Sequence, residues 1–176
     1  MENMKLPNFK IALRIGDHKE SSVCSFDGDW FFTDTEELFT NKRILIFALP
    51  GAYTPTCTNS HLPDFEENYG RLTELGIDEI FCVATNDAFV MNSWFNDLNI
   101  KNVKPLPDGN CEITSHFNAV SDLSFLGMSK RSTRYAVIIN NQIIEKIFRE
   151  SPSEDNPDPY ENTKAEIIID FLNGKT

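Results

Sequence analysis

A chain of 176 residues with 40% hydrophobic and 24% charged residues has the balance of one globular domain, residues 1–176, and enough length to bury a sizeable core. Its net charge of −11 repels phosphate backbones and argues against nucleic acid as a partner. No apolar run approaches the roughly 18 residues that span a bilayer, and Met1 to Arg14 lacks the basic-then-apolar pattern of a signal peptide, so a cytoplasmic protein with no membrane partner is expected.

Thr35, with Glu37 and Leu38, opens a short helical stretch ending before Asn41. Arg43-Ile-Leu-Ile-Phe-Ala-Leu49 is a continuous apolar run, as expected of a central strand buried on both faces. Pro50-Gly51 ends it. Thr54-Pro55 then predicts a helix start, with Thr54 as N-cap and Pro55 at the first helical position. That helix is expected to reach about Leu75, kinked at Pro63 and closed by Gly76. Ile80-Phe-Cys-Val-Ala84 reads as a second strand, and Asp87 to Leu98 as a helix capped by Asn86 or Asp87. Strand, helix, strand, helix implies parallel pairing.

Further along, Arg134 to Ile139 and Gln142 to Phe148 flank Asn140-Asn141, a two-residue hairpin turn by its tolerance of positive φ. Glu150 to Pro159, with three prolines and several acids, is expected to be an exposed loop. Thr163 to Leu172 predicts a last amphipathic helix. The sum is an α/β fold, a mixed central sheet flanked by helices. Fourteen Phe residues point to an aromatic-rich core or an apolar interface. Phe89, Trp94 and Phe125 suit either place.

The four cysteines are Cys24, Cys57, Cys82 and Cys111. No C-x-x-C pair occurs, which disfavours a zinc ribbon or an adjacent dithiol, and the lack of a secretory signal disfavours a disulfide framework. Cys57 stands apart. It falls where a central strand ends and a helix begins, the edge at which open α/β sheets place ligand sites. Unpaired N–H groups and the positive end of the helix dipole favour its thiolate, the form that attacks electrophiles. Thr54, three residues earlier, comes near the sulfur on a helical turn. A buried cysteine acting as a small hydrophobe is the bland alternative.

Pro50, Thr54 and Cys57 match the P-x-x-x-T-x-x-C signature of peroxiredoxins. The string Pro50-Gly-Ala-Tyr-Thr-Pro-Thr-Cys57 with His61-Leu62-Pro63 resembles the type II branch, the peroxiredoxin 5 subfamily. So do Asn86-Asp-Ala-Phe-Val-Met-Asn-Ser-Trp94, Pro107-Asp-Gly-Asn110 and Lys130-Arg-Ser-Thr-Arg-Tyr135. The resemblance implies a thioredoxin-like fold, no metal or cofactor, and reduction of hydrogen peroxide and organic hydroperoxides through a Cys57 sulfenic acid. It also implies that Thr54 binds peroxide and thiolate, that Pro50 shields the site from water, and that Arg134 stabilises the charges. Arg131 competes for that last role. If both sat on one strand, the two would face opposite ways, and both have a solvated surface arginine as alternative. His61, one turn after Cys57, is either a proton shuttle or a packed helix residue.

Regeneration needs a thiol. External glutathione with glutaredoxin is the expected source. Cys82 is the internal alternative, regenerated by thioredoxin, and matches the place of a resolving cysteine in plant members. Cys24 and Cys111 read as structural or incidental. A homodimer is the family's common state. Two rivals from other classes are a cysteine hydrolase using Cys57 with His61 and a non-catalytic thioredoxin-fold binding module.

Overall fold

The structure is a computed structural model and describes residues 1–14 and 30–175. Cys24 and the nearby Asp27-Gly28 lie outside the described residues. Among the described residues five strands form the central sheet: β3 (Arg43–Ala48), β4 (Glu79–Ala84), β5 (Lys104–Pro107), β8 (Tyr135–Asn140) and β9 (Ile143–Arg149), in the order β5-β4-β3-β8-β9. β3 runs parallel to β4 and β4 to β5, whereas β8 is antiparallel to both β3 and β9. The mixed α/β sheet read from the sequence is therefore present. Two antiparallel pairs lie outside it: β1 (Lys10–Arg14) with β2 (Trp30–Asp34), and β6 (Val120–Asp122) with β7 (Lys130–Ser132).

The run Ile44 to Ala48 is buried on both faces because each face carries its own core. Alternation of side chains along a strand sends odd and even positions to opposite sides. Leu45, Phe47, Cys82 and Ala136 pack with Phe65 and Leu72, with Met91 and Trp94, and with Ile168 and Ile169. These come from α2 (Leu62–Glu67), α3 (Tyr69–Glu74), α4 (Ala88–Asp97) and α6 (Ala165–Leu172). On the other face Ile44, Ile46, Val83, Tyr135 and Val137 meet Ile11, then Phe39 of α1 (Thr35–Phe39) and Phe117, which follows α5 (Glu112–His116). Each fully buried Leu, Ile or Phe stabilises by about 1.5–3 kcal/mol relative to exposure. Among the described residues no helix is long and apolar enough to cross a membrane.

Several expectations change in detail. The hairpin turn is Asn141-Gln142, both with positive φ, one residue later than Asn140-Asn141, because Asn140 still pairs with Ile143. The long helix does begin at Pro55, but its irregularities lie on either side of Pro63. Cys57–His61 is a π turn in which Leu62 N–H reaches Cys57 C=O, and a break at Asn68 separates α2 from α3. Pro63 has no N–H to offer the preceding turn, which suits a widened turn just before it. Gly76 does end α3, with φ of +88°. Glu150 to Pro159 is exposed along most of its length, but Glu150 and Pro159 at its ends are buried.

Candidate active site

The loop between β3 and the π turn is folded by its own backbone and by the side chains of Asn86 and of Asp97 in α4. Leu49 N–H bonds to Val83 C=O at 3.2 Å, carrying the sheet pattern one residue past β3. Ala52 N–H bonds to Asn86 Oδ1 at 2.9 Å, and the Tyr53 hydroxyl to Asp97 Oδ2 at 2.7 Å. Gly51 leaves room for Arg131: a Cβ there would stand 2.6 Å from Arg131 Nη1. Thr54 does not act as the N-cap acceptor expected of it. Its hydroxyl donates to Gly51 C=O at 2.8 Å, so its single proton is committed and its lone pairs stay available.

Pro50, Thr54 and Arg134 share the wall of one cavity of about 370 Å3. Cys57 is fully buried at the start of the π turn, in the core cluster that also holds Cys82. Arg134 immediately precedes β8 and is only 2% exposed. Burial alone would weaken its charge, but Asp158 and the sulfur of Cys57, by hydrogen bonding and charge, outweigh it and raise the guanidinium above its ordinary value. Arg131 is not on the same strand as Arg134. It lies in β7, where Nε donates to Met128 C=O at 2.9 Å and Nη1 reaches Asn86 Oδ1 at 3.3 Å and Pro50 C=O at 3.4 Å. Arg131 thus braces the loop, and Arg134 lines the cavity, held by Asp158.

His61 is fully buried between Phe47, Phe65 and Tyr160, with ring centroids 5.0, 5.6 and 4.5 Å away. Burial, and then the charge of Arg134, hold its pKa well below the usual imidazole range. Its Nδ1 lies 2.9 Å from Arg134 Nη1. Since a guanidinium only donates, Nδ1 accepts and the proton of the neutral ring sits on Nε2. That is the packed role rather than the shuttle, and it deprives the hydrolase reading of its base.

Two residues that sequence reasoning passed over belong here. Asp158 grips Arg134 with both carboxylate oxygens, Nε to Oδ1 at 2.8 Å and Nη2 to Oδ2 at 2.6 Å. Tyr160 lies under the same guanidinium, 5.7 Å from ring centroid to Cζ, and donates to Asp64 Oδ2 at 2.5 Å. No local motif marks either residue; the acidic, proline-rich segment around them reads as solvated loop.

Of the other cysteines, Cys82 is fully buried on β4, and burial, then the neighbouring Cys57, pushes its thiol well above the ordinary range. Cys111 is half-buried in a left-handed conformation, φ of +61°, just before α5. Trp94 is core, while Phe89 and Phe125 reach the surface.

Comparison with known proteins places this geometry among relatives. A family model described as Redoxin matches residues 1–164. A peroxiredoxin of Synechocystis is 41% identical over 147 residues, covering 82% of this chain and 78% of that protein. A hybrid peroxiredoxin of Haemophilus influenzae is 38% identical over 172 residues, 98% of this chain and 66% of its own length. Among solved structures, a reduced peroxiredoxin of Vibrio vulnificus in complex with H2O2 superposes with a TM-score of 0.84 at 31% identity, covering 98% of this chain and 96% of that one. The antioxidant protein of Plasmodium falciparum, a 1-Cys peroxiredoxin, has a TM-score of 0.84 at 34% identity, with 98% and 99% covered.

Proposed function

The chain belongs to the redoxin family and is a peroxiredoxin, a thiol peroxidase of thioredoxin-like fold, and on that footing we propose that Cys57 is the attacking sulfur, served by Thr54, Arg134 and Pro50. The observation that carries this reading is the meeting of Pro50, Thr54 and a buried arginine on one cavity, with Cys57 coupled to the same guanidinium.

In the reaction the Cys57 thiolate attacks the terminal oxygen of a hydroperoxide. The S–O bond forms as the O–O bond breaks, and sulfur supplies the electron pair. The sulfur leaves as a sulfenic acid, and the departing hydroxide or alkoxide takes a proton from solvent to become water or alcohol. Thr54 accepts the peroxide O–H, because its own proton is held by Gly51. Arg134 places fixed positive charge beside both the sulfur and the oxygen on which negative charge grows. Pro50, lacking an N–H, covers the site without offering a donor that would hold water there. Stopped-flow reduction of hydrogen peroxide, with Cys57→Ser as control, tests the assignment. Wild type faster than the variant by several orders of magnitude is the expected result; equal rates would end it.

For regeneration, external glutathione with glutaredoxin is the better-supported route. Cys82 is fully buried and its thiol is held in the protonated form, so it is a poor attacking group until the π turn opens. The thioredoxin-linked alternative through Cys82 is kept because both sulfurs occupy one cluster. Non-reducing peptide mapping after one equivalent of peroxide separates them: a dominant Cys57–Cys82 linkage would reverse the preference. A homodimer completes the reading. Phe125, 80% exposed, and Leu126, 61% exposed, stand at the rim of the cavity, the sort of apolar surface that monomers rarely leave uncovered. Sedimentation of wild type and Phe125→Glu should give a dimer and a monomer.

A further inference from the structure

We infer that Asp158 is a positioning residue for the peroxidase reaction, fixing the guanidinium of Arg134 so that two of its N–H groups remain for the sulfur and the peroxide oxygens. The inference rests on the roles of Cys57 and Arg134 proposed above.

A guanidinium carries five N–H groups. Two are taken by Asp158 in a bidentate fork, through Nε and Nη2, and a third by His61 through Nη1. One hydrogen on Nη1 and one on Nη2 are left. A planar fork held at three points cannot rotate to offer any other pair, so the two free donors are set by Asp158 and His61 together. His61 alone would leave the plane free to swing about the Nη1 contact.

The segment bearing Asp158 is built to hold it there. At its base Glu150, only 7% exposed, accepts on Oε1 from the backbone N–H groups of Glu161, Asn162 and Thr163 and from the Thr163 hydroxyl, at 2.7–2.9 Å. Beyond Asp158, Tyr160 is tied to Asp64 on α2. Pro157 and Pro159 flank Asp158 and limit its backbone freedom. Both, with Pro152, line the same cavity as Thr54 and Arg134. A stiff strap therefore brings a carboxylate, 24 residues away in the chain, onto the buried arginine. The side chain of Asp158 is 44% exposed against 1% for Arg134, so its carboxylate closes the arginine from the solvent side.

The test compares Asp158→Asn and Asp158→Ala with wild type in two reactions of the same sulfur. One is the second-order rate of Cys57 oxidation by hydrogen peroxide. The other is alkylation by iodoacetamide, which needs the thiolate but no donors aimed at leaving oxygen. The expected result is a loss of at least tenfold in peroxide reduction, larger for Ala than for Asn, with alkylation within threefold of wild type. Peroxide rates within twofold of wild type in both variants would overturn the inference. A parallel fall in both reactions would overturn it too, by showing that Asp158 only supports the fold. An inactive wild type would instead sink the peroxidase assignment of Cys57 itself.

Discussion

Arg134 donates from Nη1 to Nδ1 of His61 at 2.9 Å, and this one contact fixes the tautomer of a fully buried imidazole. Because burial and Arg134 hold the folded pKa well below the ordinary imidazole value of 6.5, the unfolded chain binds a proton that the folded chain refuses. Stability therefore falls as pH drops below about 6.5, at about 1.4 kcal/mol per pH unit for this one residue, until the folded imidazole itself charges. His116, lowered by burial, adds in the same direction. Thermal melts from pH 7 to pH 5 should show a shallower loss in His61→Phe than in wild type. An unchanged slope would show that His61 is not the group responsible.

Thr54 can be probed by separating its hydroxyl from its shape. Thr54→Val removes the group that donates to Gly51 and faces the cavity, while Thr54→Ser keeps it. Peroxide reduction should fall about 100-fold in the valine variant, by analogy with loss of one aligned hydrogen-bonding group at a reacting oxygen, and by less than tenfold in the serine variant. Equal losses in the two would point to packing instead.

Trp94 offers an optical report of the sulfur. Its indole N–H donates to Thr58 Oγ1 at 3.2 Å, and Thr58 follows Cys57 in the chain. A change in the hydrogen bonding or shape of the π turn on oxidation should alter the emission of this buried ring. The fluorescence transient seen on mixing with peroxide should vanish in Trp94→Phe and persist in Trp30→Phe, since Trp30 lies on β2 among Phe32 and Phe89.

Glu150 should matter for stability out of proportion to its place in an acidic loop. One of its oxygens accepts four hydrogen bonds in a nearly water-free setting. Glu150→Gln keeps the shape but replaces charged acceptance with neutral, and should cost about 2 kcal/mol, given that bonds to charged groups contribute roughly 1.5–3 kcal/mol. Urea denaturation measures it; a loss below a few tenths of a kcal/mol would show that the strap is not anchored there.

The elements carried by long hydrophobic patterns were legible in the sequence. β3, β4 and α4 stand where apolar runs and caps put them, and the segment from Pro50 to Cys57 was legible because its chemistry is local. β5 was hidden because Lys104-Pro-Leu-Pro107 contains two prolines. They are tolerated because, among the described residues, β5 is the edge of the sheet, paired on one side with β4. The π turn was hidden because a widened turn leaves no periodic mark over five residues. The arginine clamp was hidden for a different reason. Asp158 and His61 reach Arg134 from opposite directions along the chain, and only the closing of the strap over the sheet brings the three together. Nothing in the spacing of the three residues announces that meeting.

Asp64 Oδ2 accepts from two donors at once, the Tyr160 hydroxyl at 2.5 Å and the Ala165 backbone N–H at 2.8 Å. That single oxygen joins the first helix after Cys57 to the first turn of α6. If Cys57 must swing outward to meet a thiol, unwinding of α2 would break this joint. The amide proton of Ala165 should then trade with deuterium faster in the oxidised protein, making a remote backbone position a clock for events at the sulfur.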